Sequence, residues 1–174
     1  MKKVAVFGNT GGGKSTLSKK LAEITGLPLY ILDKVQYEAG GKKVAYQDYR
    51  QAHERILASE QWIIEGFGCL ETLWTRLDAA DTLVYIDLPL PRHFIWVSKR
   101  LIKGLWQNPA GWPENSPIIK GTLNSYSVLM ACHSKLTPKY RDYVKQHERT
   151  KEVYHLKSVK SMAQFLAGLE SQAI

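Results

Sequence analysis

One glycine-rich stretch, Gly8-Asn-Thr-Gly-Gly-Gly-Lys-Ser-Thr16, constrains the fold of this chain more than any other feature. It matches the pattern Gly-x-x-x-x-Gly-Lys-Ser/Thr without a mismatch. The apolar segment 3–7 precedes it, and Leu17, Leu21 and Ile24 follow at the spacing of one helix face. The sequence therefore predicts a strand, a tight turn and a helix in direct succession, which is the context of a phosphate-binding loop.

Each residue type in this stretch has a physical reason to hold phosphate. Glycines let the backbone bring its N–H groups against phosphate oxygens, and the following helix points its positive end at the same place. Lys14 adds a charge for the β- and γ-phosphates, and Ser15 offers a hydroxyl to Mg²⁺. We expect ATP and Mg²⁺ as ligands, although such a site can also bind a nucleotide without turning it over. The predicted nucleotide-binding residues are Gly8, Gly11, Gly12, Gly13, Lys14, Ser15 and Thr16.

Strand and helix patterns alternate along the chain, which predicts an α/β fold with a parallel sheet. Strands are expected at 3–7, 29–32, 62–64, 82–86 and 153–156. Helical stripes are expected near 17–24, 49–57, 70–77, 91–102, 123–132, 138–147 and 162–169. Gly26 should end the first helix, Thr137 should cap the sixth, and Ser161-Met-Ala-Gln164 resembles a capping box at or just inside the last.

The pattern breaks down between residues 104 and 117. Pro109, Gly111, Pro113 and Pro117 exclude a regular element there, and the segment also contains Trp106 and Trp112. Long irregular inserts in compact domains are often lids or binding loops. The two tryptophans fit either lid packing or a partner surface.

Composition bounds the class of protein. The 174 residues suit a single domain, and no apolar run approaches the roughly 20 residues of a membrane span. The apolar run after the basic start is too short for a signal peptide, so we expect a cytoplasmic protein. Cys69 and Cys132 have no metal-ligand spacing and are expected as free thiols. The net charge of +8 suits anionic partners, nucleotides or nucleic acid, and equally suits plain solubility.

Three predicted strands end in an acid, and ligands of open parallel sheets lie beyond the carboxyl ends of the strands. Glu65 is the candidate partner of Ser15 in a metal site, with helix capping as the alternative. Asp33 follows the second strand and is a candidate to hold or deprotonate an acceptor hydroxyl, or simply to open a turn. Asp87 is expected to cap the next helix.

These segments together resemble a known family. The phosphate loop, Leu27-Pro-Leu-Tyr-Ile-Leu-Asp33 and Trp62-Ile-Ile-Glu-Gly66 are similar to adenylate-kinase-like P-loop proteins, most of all the topology modulation (FlaR) group. The resemblance spans nearly the whole chain and is sharp in the first half. Glu65-Gly66-Phe67 looks like the Asp-Gly-Phe of adenylate kinases, with Glu in place of Asp.

The resemblance implies a P-loop NTPase three-layer sandwich of the nucleoside-monophosphate-kinase type, formed by residues 1–174 as one domain. It implies an acceptor-binding segment at about 34–60 and a helical lid insert at about 101–120. Arg100 falls where such kinases place an arginine on the donor phosphates, and Arg141 is a candidate second lid-side arginine. Adenylate kinases follow Gly-Phe with Pro-Arg, whereas this chain has Gly68 and Cys69, so Arg76 is considered for the acceptor charge. Each arginine can also be an ordinary solvated charge.

The resulting hypothesis is an ATP-dependent kinase for a nucleotide or another small hydroxyl compound, with Lys14, Arg100 and Asp33 as catalytic residues. A kinase for a sugar or a shikimate-like metabolite would share the same loop and Asp33. A nucleotide-dependent regulatory protein that binds nucleic acid is the alternative from another class. The chain has no helix-turn-helix, zinc or single-strand-binding signature, and its basic pairs are spread along the sequence.

Overall fold

The architecture comes from a computed structural model that describes residues 1–104 and 118–172. The strands are β1 (Lys3–Gly8), β2 (Leu29–Ile31), β3 (Trp62–Glu65), β4 (Thr82–Ile86) and β5 (Glu152–Leu156). The helices are α1 (Lys14–Thr25), α2 (Leu32–Gln36), α3 (Tyr46–Ala58), α4 (Leu70–Ala79), α5 (Leu90–Gly104), α6 (Ile118–Lys135), α7 (Thr137–His147) and α8 (Val159–Gln172).

The five strands form one sheet in the order β2-β3-β1-β4-β5, and every neighbouring pair is parallel. All carboxyl ends therefore lie along the same edge. β1 is central, with Val6 opposite Glu65 of β3 and Gly8 opposite Ile86 of β4. The phosphate loop that follows β1 consequently lies between the ends of β3 and β4, which confirms the predicted parallel α/β fold.

Two apolar cores, one on each face of the sheet, hold the helices. Ala5 and Phe7 face the core that α3, α4 and α7 cover, whereas Val4 and Val6 face the core under α1 and α8. This alternation follows from the two-residue period of a strand, and it makes a strand buried on both faces a continuous apolar run. The result is the predicted three-layer sandwich.

Most predicted elements agree with the structure, and Gly26 ends α1 in the left-handed conformation with φ 71°. The predicted second strand is wrong at its end. β2 is a three-residue edge strand that stops at Ile31, and α2 begins at Leu32, so Asp33 lies in the first turn of a helix. An acid is favourable there because the first turn carries unpaired N–H groups.

Two predicted caps are also wrong. Thr137 does not cap α7: its hydroxyl donates to the carbonyl oxygen of Cys132 in the preceding helix. At α8, Ser158 is the capping residue, and Ser161 is its partner. The backbone N–H of each donates to the hydroxyl oxygen of the other over 3.0 Å.

The predicted irregular insert, including Trp106 and Trp112, falls almost wholly outside the described residues. Within residues 1–104 and 118–172, no helix is both long and apolar enough to cross a bilayer.

Candidate functional site

The phosphate loop requires glycine at two positions for different steric reasons. Gly8 has φ 135°, and a Cβ there would lie 2.2 Å from the carbonyl oxygen of Ile86. Gly13 has φ 77°, and a Cβ there would lie 2.7 Å from a ring carbon of Trp96. Any side chain at either position would therefore push the loop away from β4 or from α5.

Two buried side chains that the sequence reasoning missed fix the loop in place. The Asn9 side chain accepts from the N–H of Thr10 at 2.8 Å and donates to the carbonyl oxygen of Leu129, in α6, at 3.1 Å. Nδ1 of His93, in α5, lies 2.8 Å from the carbonyl oxygen of Thr10, and burial lowers the pKa of His93. Periodicity does not distinguish Asn9 or His93 from a core residue, because the contacts that tie the loop to α6 and α5 join residues far apart in sequence.

Lys14 and Ser15 are already oriented by polar partners. Nζ of Lys14 donates to the Asn9 carbonyl oxygen at 2.8 Å, and the Ser15 hydroxyl donates to Oε1 of Glu65 at 2.8 Å. The second contact exists because β3 lies beside β1, so Glu65 at the end of β3 lies next to the loop and helix start that follow β1. Burial raises the pKa of Glu65, while Lys14 and the Ser15 hydrogen bond oppose that rise.

Asp33 reaches the same place from the next strand. Ile31 is opposite Glu65, and Asp33 follows two residues later in the first turn of α2, where it lines the same cavity as Glu65. Burial raises the pKa of Asp33, and the positive charges of Lys14 and Arg100 oppose that rise. Asp33, Glu65 and Lys14 therefore line one cavity, and the charge of Lys14 acts on both carboxyls.

Arg100 approaches from the α5 side. Its Nη2 donates to the hydroxyl of Ser125, in α6, at 2.6 Å, and burial lowers its pKa while Asp33 opposes the change. A cavity of about 1020 Å³ joins these groups. It is lined by the predicted residues Gly8, Gly11, Gly12, Gly13, Lys14, Ser15, Thr16, Asp33, Glu65 and Arg100.

Arg141, predicted as a nucleotide-binding residue, does not line this cavity. It pairs with both carboxylate oxygens of Asp87, at 2.8 and 3.0 Å, and Nε2 of His155 lies 2.9 Å from the same carboxylate. The expectation that Asp87 caps the next helix is therefore wrong, because its oxygens are occupied by α7 and β5. Burial alone would raise the pKa of Asp87. The hydrogen bonds from Arg141 and His155 outweigh burial, so this pKa lies below its usual value.

Arg76 does not supply an acceptor charge either. Its side chain is fully buried beneath the site, and its Nη2 donates to the Gly66 carbonyl oxygen at 2.9 Å. It supports the turn after β3 rather than lining the cavity.

The Ser15–Glu65 pair suits a hard cation. Magnesium prefers oxygen ligands, and it commonly takes one or two from protein and the rest from water and phosphate. Within the described residues, no group of three or more His, Cys, Asp or Glu side chains could form a protein-only metal cage. The Ser15 and Glu65 oxygens fit Mg²⁺ that takes its other ligands from water or phosphate.

The sheet order, the phosphate loop and the acid at the end of β3 define the class: this is a protein with a P-loop kinase-like fold.

No family model matches the chain, and no curated protein matches it in sequence. Among solved structures, a sugar kinase from a Janibacter species is similar with 17% identity and TM-score 0.48, over 99% of this chain and 92% of that one. Deoxyadenosine kinase from M. mycoides is similar with 14% identity and TM-score 0.49, over 97% and 98%. Shikimate kinase from Aquifex aeolicus is similar with 16% identity and TM-score 0.47, over 98% and 97%.

Proposed function

We propose that this chain is an ATP-dependent kinase that transfers the γ-phosphoryl group to a small hydroxyl compound. The observation that carries the proposal is the 2.8 Å hydrogen bond between Ser15 and Glu65, beside Lys14 in a glycine-lined phosphate loop. A loop that only bound phosphate would not need a buried carboxylate on its serine hydroxyl. Such a carboxylate is what a magnesium-bound nucleotide requires.

On the donor side, the loop N–H groups and Lys14 hold the phosphates. Lys14 would exchange its present acceptor, the Asn9 carbonyl oxygen, for phosphate oxygens. Ser15 and Glu65 would hold Mg²⁺, directly or through water, and the bound ion would supply charge neutralisation at the transferring group. Arg100 would add positive charge, and closure of the predicted lid at about 101–120 would exclude water.

On the acceptor side, Asp33 is the proposed base. The acceptor oxygen forms a bond to the γ-phosphorus, the bond between that phosphorus and the bridging oxygen of ADP breaks, and the hydroxyl proton passes to Asp33. Burial raises the pKa of this carboxyl, which makes it a better proton acceptor once ionised. The acceptor would enter along the predicted segment at about 34–60.

The resemblance to the topology modulation group supports a single-domain kinase-like protein and leaves the acceptor open. We do not assign Arg141 to the nucleotide, because it is bound to Asp87 outside the cavity. A nucleic-acid-binding role is retained as an outcome of the test below.

The test measures ADP release from Mg·ATP in the presence of a panel of nucleosides, nucleotides, sugars and hydroxy acids. We expect one acceptor class to stimulate release, and Lys14→Ala to abolish it. Glu65→Gln should lower turnover roughly 100-fold or more while the Kd for ATP changes little, because the carboxylate acts on the metal-bound transition state. Glu54→Gln on α3, an exposed carboxylate paired with Arg50, is the matched control.

Two results would contradict the proposal. Equal loss of ATP binding and turnover in Glu65→Gln would show that Glu65 does not serve the metal. DNA binding that weakens steeply with salt and survives Lys14→Ala, with no acceptor-stimulated ADP release, would favour the nucleic-acid-binding alternative.

A further inference from the structure

Besides Lys14, four lysines among the described residues line the cavity: Lys99 and Lys103 on α5, which also carries Arg100, and Lys135 and Lys139. The last two belong to other helices than Arg100 and have no part in the proposed handling of ATP. Lys135 is the last residue of α6, and Lys139 lies in the first turn of α7. Both are exposed, and both line the same cavity as Lys14, Asp33 and Glu65. We call the pair the corner lysines, because they flank the junction between the two helices.

The packing of α7 against α4 places the corner lysines at the same rim of the cavity as the start of α4. Both helices begin at the carboxyl edge of the sheet, since each precedes a strand of a parallel sheet. The Trp74 ring of α4 lies 6.0 Å from the ring of Tyr140 and 5.5 Å from that of Tyr143. Leu70, one turn before Trp74, therefore lies at the same rim as the start of α7.

The α6 end of the junction faces the phosphate loop. Cys132, one turn before Lys135, is buried and lines the cavity, and the carbonyl oxygen of Leu129 accepts a hydrogen bond from the Asn9 side chain at 3.1 Å. The junction thus runs from the phosphate loop to the rim beside Leu70. A group bound by the corner lysines would lie on the acceptor side of the transferring phosphoryl group.

The wall next to the corner lysines is apolar and open. Phe67 is 40% exposed and Leu70 is 54% exposed, although both are large apolar side chains that line the cavity. Such surface favours the body of a small molecule. Asp33 is the group that would contact the acceptor hydroxyl. Arg76 is fully buried, donates to the Gly66 carbonyl oxygen and is not available to a ligand.

We propose that the acceptor is a hydroxyl compound that carries its own anionic group, a phosphate or a carboxylate, and that Lys135 and Lys139 bind this group. The inference rests on the proposed kinase function. Asp33 takes the hydroxyl, Phe67 and Leu70 contact the body, and the corner lysines hold the negative charge. Two ammonium groups on one rim are a suitable receptor for either anion.

The test measures equilibrium binding to the full chain with a non-hydrolysable ATP analogue and Mg²⁺ present, so that it does not depend on turnover. Paired probes differ in the anionic group: nucleoside 5′-monophosphates against their nucleosides, and gluconate against sorbitol. We expect one anionic member to bind at least tenfold more tightly than its neutral counterpart. The monophosphate and gluconate arms distinguish phosphate from carboxylate.

The variants are Lys135→Gln, Lys139→Gln and the double variant. Because both side chains are exposed, we expect the fold to be retained. The double variant should weaken binding of the preferred anion by roughly tenfold or more, since charged hydrogen bonds are lost, and leave binding of the ATP analogue within about threefold. Lys145→Gln, on α7 but outside this cavity, should change neither.

Several outcomes would overturn the proposal. They are equal binding within every pair, a preference that the double variant leaves unchanged, and a loss confined to the ATP analogue. The last result would assign the corner lysines to the donor. Failure of the proposed function is recognised separately, because it appears as no Lys14-dependent phosphoryl transfer to any probe, whatever the binding results show.

Discussion

A buried histidine should make this protein lose stability in mild acid. His53 of α3 is 2% exposed, and its ring centroid lies 6.0 Å from that of Tyr49. Its Nε2 has no hydrogen-bond partner among the described protein groups. Burial first, and then the charge of Arg76, lowers the pKa of His53 from 6.5 to about 4, with Glu54 opposing. The folded protein therefore favours the neutral ring.

The direction and size of the effect follow from this pKa difference. Between about pH 6.5 and pH 4, the unfolded chain binds a proton that the folded chain does not, so the free energy of unfolding falls as the pH falls. With the two pKa values above, the expected loss from His53 alone is about 2 kcal/mol between pH 7.5 and pH 5, and about 3 kcal/mol by pH 4. Below about pH 4 the loss is complete.

The assay is urea unfolding at a series of pH values, for the wild type and for His53→Leu. Wild-type stability should fall by about 2 kcal/mol more than that of the variant between pH 7.5 and pH 5. Comparing the two proteins cancels the other groups, including the carboxyls of Asp33 and Glu65, whose raised pKa values act in the opposite direction. Equal pH dependence in both proteins would refute the reasoning, and His133→Leu is the matched control.

Three further predictions concern the loop and its surroundings. Gly8→Ala should cost about 3 kcal/mol or more of unfolding free energy, because its Cβ would meet the backbone of β4. Gly40→Ala, where φ is positive but the space is open, should cost about 1–2 kcal/mol. Equal losses in urea unfolding would contradict the steric account. Arg141→Ala should lower the free energy of unfolding by about 1 kcal/mol, because the ion pair with Asp87 is lost. Calorimetry should show unchanged ATP binding, and weaker binding would mean that Arg141 does contact the nucleotide. Tyr49→Phe should lose about 1 kcal/mol with its buried hydrogen bond to Thr72, which thermal unfolding would measure; an unchanged Tm would show that this bond contributes nothing.

Local sequence patterns predict those helices and strands whose pattern of apolar residues lies within a few consecutive positions. The β4 segment Thr82–Ile86 was predicted with its final bounds, because a strand buried on both faces is a continuous apolar run. The junction at Asp33 was predicted wrongly. Leu32 is apolar whether it ends a strand or begins a helix, and the choice depends on β2 being a short edge strand.

The sequence by itself determined the phosphate loop, because glycine spacing, the lysine and the serine are local requirements of holding phosphate. It also indicated Glu65 and Asp33, since parallel strands align their carboxyl ends. Only the tertiary structure decided which charges reach the cavity. Arg76, Arg100 and Arg141 are alike in sequence, yet one is buried under Gly66, one lies near Asp33, and one is bound to Asp87. The physical reason is that a long charged side chain takes its role from partners brought together by packing, and residues far apart in the chain supply those partners.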